Sequence, residues 1–194
     1  MKTINHITNN NGLLKINLNN LSYNYNFLRK RVKPSRVASV LKSNCYGLGL
    51  DRVTKKLVNL GCKDFFLTSY EEAFALKKLI VKGNIFLLNG LIGQTESKIF
   101  NIFKYKIIPV INSFSELKTF YKFSKKFNIS HKLTLHFDTG INRIGIDPNE
   151  KNDVIDFCKK KKINIFCVMS HLMSSNEKKS RFNIVQKKKF ESII

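Results

Sequence analysis

Three residues able to bind or activate a small molecule each follow a short apolar run. Lys42 comes directly after Val40 and Leu41 and leads into a turn that contains Gly47 and Gly49. A lysine at the end of a strand has its stem held in place, and the glycines let the backbone turn sharply beside it. An amine held in this way is suited to forming an imine with an aldehyde.

Arg143 and His171 are the other two residues. Arg143 lies in the segment 136–145, which also contains Asp138. Arginine can hold a carboxylate through two parallel hydrogen bonds and stays charged at any working pH. We therefore expect Arg143 to bind an anionic group, with Asp138 orienting it. His171 follows the apolar run 163–169, a place where a lone histidine is more often structural than functional.

The stretch 40–49 resembles the cofactor-lysine motif of the alanine racemases. The segments 136–145 and 169–172 resemble two further motifs of that family, in the same order along the chain. The resemblance implies that Lys42 carries pyridoxal 5'-phosphate (PLP) as a Schiff base. It also implies that Tyr46 reaches the cofactor phosphate.

For the two later motifs, the resemblance implies that Arg143 lies near the cofactor phenolate and the substrate carboxylate. His171 would pack against the pyridine ring. The implied activity is the interconversion of L-alanine and D-alanine, with Lys42 as the catalytic base on one face of the substrate. The chain offers no candidate for the acid–base group on the opposite face. In the family that group is a tyrosine of a C-terminal β-domain, which acts across the interface of a homodimer.

Apolar runs of strand length alternate with helical patterns along the chain. The runs cover residues 36–41, 64–68, 84–88, 107–111, 133–137 and 163–169. The patterns Ser69-x-x-Glu72 and Ser113-x-x-Glu116 predict capping boxes at two helix starts. Strands that alternate with helices and are almost continuously apolar form parallel sheets covered by helices. The sequence therefore predicts an α/β fold, which the resemblance makes a PLP-binding TIM-type (β/α) barrel.

The length predicts that this barrel is incomplete. An eight-stranded α/β barrel takes roughly 250 residues, whereas this chain has 194. We expect about six of eight βα units in a partial barrel domain over residues 13–194, with the C-terminal β-domain absent. A mobile polar tail is expected over residues 1–12. Residues 14–32 predict a leading strand followed by a helix, and Asp51 is expected to cap the helix that closes near Gly61.

The net charge of +22 would ordinarily suggest a nucleic-acid partner. The basic residues are spread over most of the predicted helices, and no nucleic-acid-binding motif is present. The densest cluster, at 159–162, falls where a helix should end, and cations are favoured there by the helix dipole. We therefore predict no specific nucleic-acid partner, only weak adsorption that depends on salt.

The four cysteines form no CxxC pair, and no histidine lies at zinc-ligand spacing, so we predict neither disulfides nor a metal site. No segment is apolar enough to suggest a signal peptide or a membrane span. These features favour a cytoplasmic protein, and the resemblance implies a small amino acid, alanine, as its ligand. Two alternatives remain open, a non-catalytic PLP-binding barrel protein and a non-functional truncated remnant.

Overall fold

The computed structural model describes residues 12–80 and 82–194, so the predicted tail, except for Gly12, lies outside the described residues. Six strands form one parallel sheet in sequence order, and β1 and β6 are its two edges. The strands are β1 (Ser39–Val40), β2 (Asp64–Leu67), β3 (Asn84–Leu87), β4 (Ile108–Ile111), β5 (Lys132–His136) and β6 (Asn164–Met169). Each predicted apolar run overlaps one of these strands, which confirms the predicted α/β class.

Helices connect the strands and pack on one face of the sheet. They are α1 (Leu18–Arg31), the short turn α2 (Lys42–Tyr46), α3 (Leu50–Asn59), α4 (Tyr70–Leu79), α5 (Glu96–Lys104), α6 (Phe114–Phe127), α7 (Lys151–Lys161) and α8 (Arg181–Glu191). A 3-10 turn, Pro148–Glu150, precedes α7. Within the residues described here, no helix is long and apolar enough to cross a membrane.

Two predictions about the N-terminal part are wrong. No strand precedes α1 in the part of the chain that the structure describes, because the Asn17 side chain caps that helix and the chain enters it directly. Asp51 does not cap α3 either. Gly49 occupies the cap position, and Asp51 lies in the first turn, 3.0 Å from the Lys55 ammonium. A carboxylate there is still favoured by the helix dipole.

Apolar side chains pack on both faces of the sheet. The larger cluster lies between the strands and the helices, and includes Phe65 and Leu87. A second cluster forms on the inner face around Phe86, with Phe166 of β6 packed against it. The ring centroids of Phe86 and Phe166 are 5.3 Å apart, although β3 and β6 are not neighbours in the sheet. The sheet therefore curls on itself, as the wall of a barrel does.

Candidate active site

The residues predicted to act on a ligand all follow the carboxyl ends of strands. Lys42 lies two residues after the end of β1, Arg143 lies in the loop after β5, and His171 lies in the loop after β6. Parallel strands place these ends at one rim of the sheet, where barrel enzymes build their active sites. Tyr46 shares the turn with Lys42, whose Nζ is 5.8 Å from the centroid of the Tyr46 ring.

The turn that carries Lys42 is wound left-handed. Ser43, Asn44 and Cys45 have φ between 52° and 57° and ψ between 45° and 50°. This conformation costs roughly 1–2 kcal/mol per residue that is not glycine. Two hydrogen bonds brace it: the Asn44 amide donates to Oε1 of Glu72 over 3.3 Å, and the Leu50 amide donates to Oδ1 of Asn44 over 2.8 Å. Strain held by such contacts is typical of a functional segment.

The loop of Arg143 is folded around the Asp138 carboxylate. Oδ1 of Asp138 accepts hydrogen bonds from the backbone amides of residues 140, 141 and 142 over 2.8, 2.9 and 3.2 Å. These bonds lower the pKa of Asp138 even though burial acts to raise it. The predicted pairing of Asp138 with Arg143 is wrong: no ion pair joins them within the described chain, because the carboxylate is occupied by the loop backbone.

Gly145 closes the same loop. Its φ is +134°, and a Cβ atom there would lie 2.6 Å from the backbone nitrogen of Asp138. The Asp138 amide donates to the carbonyl of Ile146, and the Ile146 amide donates to the carbonyl of His136. The loop therefore returns to β5 in a tight path that only glycine allows, and this path sets where Arg143 leaves the sheet.

The loop of His171 is held by a buried glutamine that the sequence did not single out. Nε2 of Gln186, on α8, donates to the His171 carbonyl over 2.9 Å and to the Thr139 hydroxyl over 3.2 Å. Its Oε1 accepts the Met173 amide over 2.8 Å. Gln186 thus ties the loops after β5 and β6 to one helix. The only signal in the sequence was a polar residue on a helix that otherwise presents its lysines to solvent.

Positive charge gathers at this rim. Burial lowers the pKa of His171, and the nearby charges of Arg143 and Lys42 lower it further. The three side chains are therefore close enough to repel one another, and at neutral pH the imidazole is biased toward its neutral form. Tyr46, Arg143 and His171 are exposed, with 62% of the Tyr46 surface accessible. The rim is thus an accessible, cationic surface with a primary amine in it, suited to an anionic ligand.

The predicted capping boxes are confirmed for their serines but not for their glutamates, whose actual contacts the sequence did not predict. Ser69 and Ser113 accept the amides of Glu72 and Glu116 as predicted. The glutamate carboxylates do not accept the amides of the cap serines; each instead binds the residue just before its cap, the Thr68 hydroxyl for Glu72 and the Asn112 amide for Glu116. Glu72 reaches the Lys42 turn, and Glu116 binds the amides of residues 91 and 112, in the loops after β3 and β4. Both glutamates therefore brace loops at the same rim.

Comparisons with known proteins agree with this arrangement of motifs. The family model described as alanine racemase, N-terminal domain, matches residues 16–194. The alanine racemase of Rickettsia canadensis (strain McKiel) is 33% identical over 185 residues, which are 93% of this chain and 51% of that protein. The alanine racemase of Rickettsia bellii (strain RML369-C) is 35% identical over 162 residues, covering 81% of this chain and 38% of that protein.

Solved structures give the same picture. The crystal structure of alanine racemase from Bartonella henselae with covalently bound pyridoxal phosphate superposes with a TM-score of 0.84 at 29% identity, over 92% of this chain and 52% of that one. A histidine racemase from Leuconostoc mesenteroides subsp. sake shares the fold, with a TM-score of 0.78 at 18% identity over 90% of this chain and 46% of that one. This chain spans about half the length of the relatives it matches. By its motifs, its sheet and these matches, the chain belongs to the alanine racemase N-terminal domain family.

Proposed function

We propose that this chain is the cofactor-binding barrel part of a PLP-dependent alanine racemase, and that Lys42 is the residue that bonds covalently to pyridoxal phosphate. The observation that carries the proposal is the position of the Lys42 amine. It stands on a strained, braced turn at a rim where Arg143 and His171 add positive charge.

The residues at the rim fit the chemistry of this cofactor. Pyridoxal phosphate brings an aldehyde, a phosphate and a phenolate, so its site needs one amine and several cationic or hydrogen-bonding groups. Lys42 supplies the amine, Arg143 supplies a guanidinium, and the hydroxyl of exposed Tyr46 is free to approach a phosphate. Asp138 is the acidic side chain near Arg143, and its Oδ1 accepts hydrogen bonds from the loop backbone.

Each side chain then has a distinct role. When bound, pyridoxal phosphate supplies a conjugated ring that delocalises the electron pair left when an α-proton leaves an amino acid. Lys42 would hold the cofactor until the amino group of the substrate takes its place, and the freed amine would then take or return that proton at Nζ on one face of the substrate. Arg143 binds the substrate carboxylate, and Tyr46 binds the cofactor phosphate. The His171 imidazole would pack against the cofactor ring, and its lowered pKa favours the neutral form there.

A complete racemisation needs more than these residues. A proton that leaves one face must return from the other, so a second acid–base group has to stand opposite Lys42. We propose that this group, and the remaining strands of the barrel, belong to the part that the longer relatives have beyond this match, and that the complete enzyme is a homodimer. The substrate is proposed as alanine from the family. The fold alone does not select the amino acid, because a histidine racemase shares it.

We also propose that the protein is cytoplasmic. The four cysteines are free thiols, three of them buried, as expected for a protein of the reducing cytoplasm. We propose no specific nucleic-acid or membrane partner.

The test is covalent capture of the cofactor. The chain is incubated with pyridoxal phosphate and reduced with borohydride, and the labelled lysine is located by peptide mass mapping. We expect the label on Lys42, and its loss in Lys42→Ala. The control is Lys188→Ala, which removes an exposed lysine of α8 and should leave the labelling of Lys42 unchanged. Label spread evenly over the many lysines, and equal in the two variants, would refute the assignment.

A second measurement separates the two alternatives. Racemisation of alanine is assayed for this chain alone and after co-expression with the C-terminal half of a Rickettsia relative. We expect cofactor capture without racemisation in the chain alone, and racemisation once the second acid–base group is supplied. Capture that never leads to activity would favour the non-catalytic PLP-binding barrel. Failure to capture the cofactor at all would favour the non-functional remnant.

A further inference from the structure

A small cavity opens at the amino ends of β5 and β6, on the opposite rim of the sheet from Lys42. It lies where α6 and α7 end and has a volume of about 190 Å³. Pockets that hold larger organic ligands measure roughly 300–1,000 Å³, so this cavity is sized for a small ion. No carboxylate lines it, and three lysines do: Lys125, Lys161 and Lys162.

The three ammonium groups have no carboxylate partner. None of them forms an ion pair within the part of the chain that the structure describes. Two of them lie at the ring of Tyr121, with Nζ of Lys161 5.1 Å and Nζ of Lys125 5.6 Å from its centroid. The helix dipole favours cations at each helix end, but it does not bring lysines of two helices to one ring. Positive charges gathered in a concave site attract a small anion.

A buried histidine is the second feature of the cavity. His131 lines it, is 8% exposed, and packs against the rings of Phe103 and Phe120. Its Nε2 lies 2.6 Å from the carbonyl oxygen of Ile107, which can only accept, so Nε2 carries the hydrogen. Burial, more than any other cause, lowers the pKa of His131. The ring is therefore neutral at neutral pH, and Nδ1 is a bare acceptor.

This acceptor lacks a hydrogen-bond partner in the protein. Nδ1 of His131 makes no hydrogen bond with the residues that the structure describes, and it stays open to solvent. A bound group that donates a hydrogen would satisfy it, whereas a bare anionic oxygen would face its lone pair. The cavity therefore favours an ion that carries negative charge and also has a hydrogen to donate.

We propose that this cavity binds inorganic hydrogen phosphate, with the lysines facing its anionic oxygens and its P–OH group donating to Nδ1 of His131. Sulfate has the same tetrahedral shape but no hydrogen at neutral pH. Phosphate monoesters have mostly lost theirs as well, because their second pKa is about 6. Inorganic phosphate is thus the tetrahedral anion that meets both requirements. The proposal is independent of the proposed function, because it uses no residue of the rim that carries Lys42.

Isothermal titration calorimetry of the full chain tests the proposal by comparing phosphate with sulfate at neutral pH, with the ionic strength held constant by chloride. A hydrogen bond to a charged group changes affinity by about tenfold, so we expect phosphate to bind about tenfold tighter than sulfate. The ratio removes the general attraction of anions to the net charge of +22. Equal affinities, or no binding of phosphate at millimolar concentration, would overturn the proposal.

Three variants locate the site. Lys161→Gln should weaken phosphate binding about tenfold, and the control Lys188→Gln, which removes the same charge from an exposed position on α8, should leave it unchanged. His131→Phe keeps an aromatic ring but has no acceptor, so it should bring the ratio of phosphate to sulfate affinity to about one. Equal losses in the two lysine variants would show that phosphate responds only to overall charge, which would contradict a built site.

Nitrogen NMR gives a readout that needs no variant. Two-bond ¹H–¹⁵N correlation spectra of the chain labelled with ¹⁵N-histidine distinguish a bare nitrogen from a protonated one in each ring. Phosphate should move the Nδ1 resonance of His131 toward that of a hydrogen-bonded nitrogen, and sulfate should leave it in place. A protonated Nδ1 in the free chain, or an Nδ1 resonance that phosphate does not move, would overturn the proposal even if a variant fails to fold.

Discussion

Replacing Glu116 with glutamine should change how the stability of this chain depends on pH. Glu116 is 5% exposed, and burial raises the pKa of its carboxyl to about 7 against three backbone amides that lower it. The folded state therefore keeps a proton that the unfolded state loses at pH values above the ordinary pKa of 4.5. Unfolding releases that proton, so the free energy of unfolding falls as pH rises through this window and levels off above pH 7.

The size of the effect follows from the shift in pKa. Each pH unit is worth about 1.4 kcal/mol, so Glu116 should lower the free energy of unfolding by about 3 kcal/mol between the bottom and the top of that window. Glutamine cannot titrate and removes this slope. It also has one acceptor oxygen for two backbone amides, which costs about 1–3 kcal/mol at every pH. A plot of the free energy of unfolding against pH therefore lies lower for Glu116→Gln than for the wild type at low pH, but lacks the decline that Glu116 causes.

Urea unfolding followed by far-ultraviolet circular dichroism measures the difference, since the chain has no tryptophan to report by fluorescence. The quantity to plot is the free energy of unfolding of Glu116→Gln minus that of the wild type, which cancels the titrations that both proteins share. We expect this difference to rise by about 3 kcal/mol from pH 4.5 to 7. The control is Glu177→Gln, an exposed position whose difference should stay flat. If the free energies of unfolding of Glu116→Gln and the wild type change with pH in parallel, the buried Glu116 carboxylate is not the source of the pH dependence.

The remaining predictions concern the loops and the sheet edges. Gly145→Ala should cost several kcal/mol in urea unfolding, because its Cβ would meet the Asp138 backbone. Gly93→Ala, also at positive φ but with open space around it, should cost only about 1 kcal/mol. Gln186→Ala should speed hydrogen exchange of the Met173 amide by about tenfold, since that amide loses its acceptor; an unchanged rate would show that the loop is held otherwise. The open edges β1 and β6 should promote aggregation of the isolated chain, and added salt should accelerate it in light scattering by screening the net charge of +22; a salt-independent, monodisperse solution would contradict this.

Short-range sequence patterns predicted much of the architecture and the positions of the site motifs. Six apolar runs separated by helical patterns were enough to predict six parallel strands, because strand and helix periodicities are local properties of the chain. The contact of the Asp147 carboxylate, which accepts the Asn149 amide over 2.8 Å, is of the same local kind. Lys42, Arg143 and His171 could be chosen because their segments resemble motifs of the alanine racemases. Each also follows a strand, and strand ends share one rim in a parallel sheet.

The support of the site could not be predicted in this way, because its contacts join residues far apart in the chain. Glu116 follows a serine at capping-box spacing, and only the packing of α6 against the neighbouring loop turned its carboxylate to an amide 25 residues away. Gln186 similarly reaches a hydroxyl 47 residues away. The fold likewise brings Asn112 to Nδ1 of His136, although the two residues are 24 positions apart in the sequence.

The sequence by itself thus determined the fold class and the residues that stand at the strand ends, since strand and helix periodicities and motifs are local features of the chain. The tertiary structure alone decided which buried groups hold those residues. It directed Asp138 to the loop backbone rather than to Arg143, and it brought Asn112 to Nδ1 of His136. The physical reason is that a buried polar group must find a partner wherever the fold provides one, and distance along the chain does not encode which partner that will be.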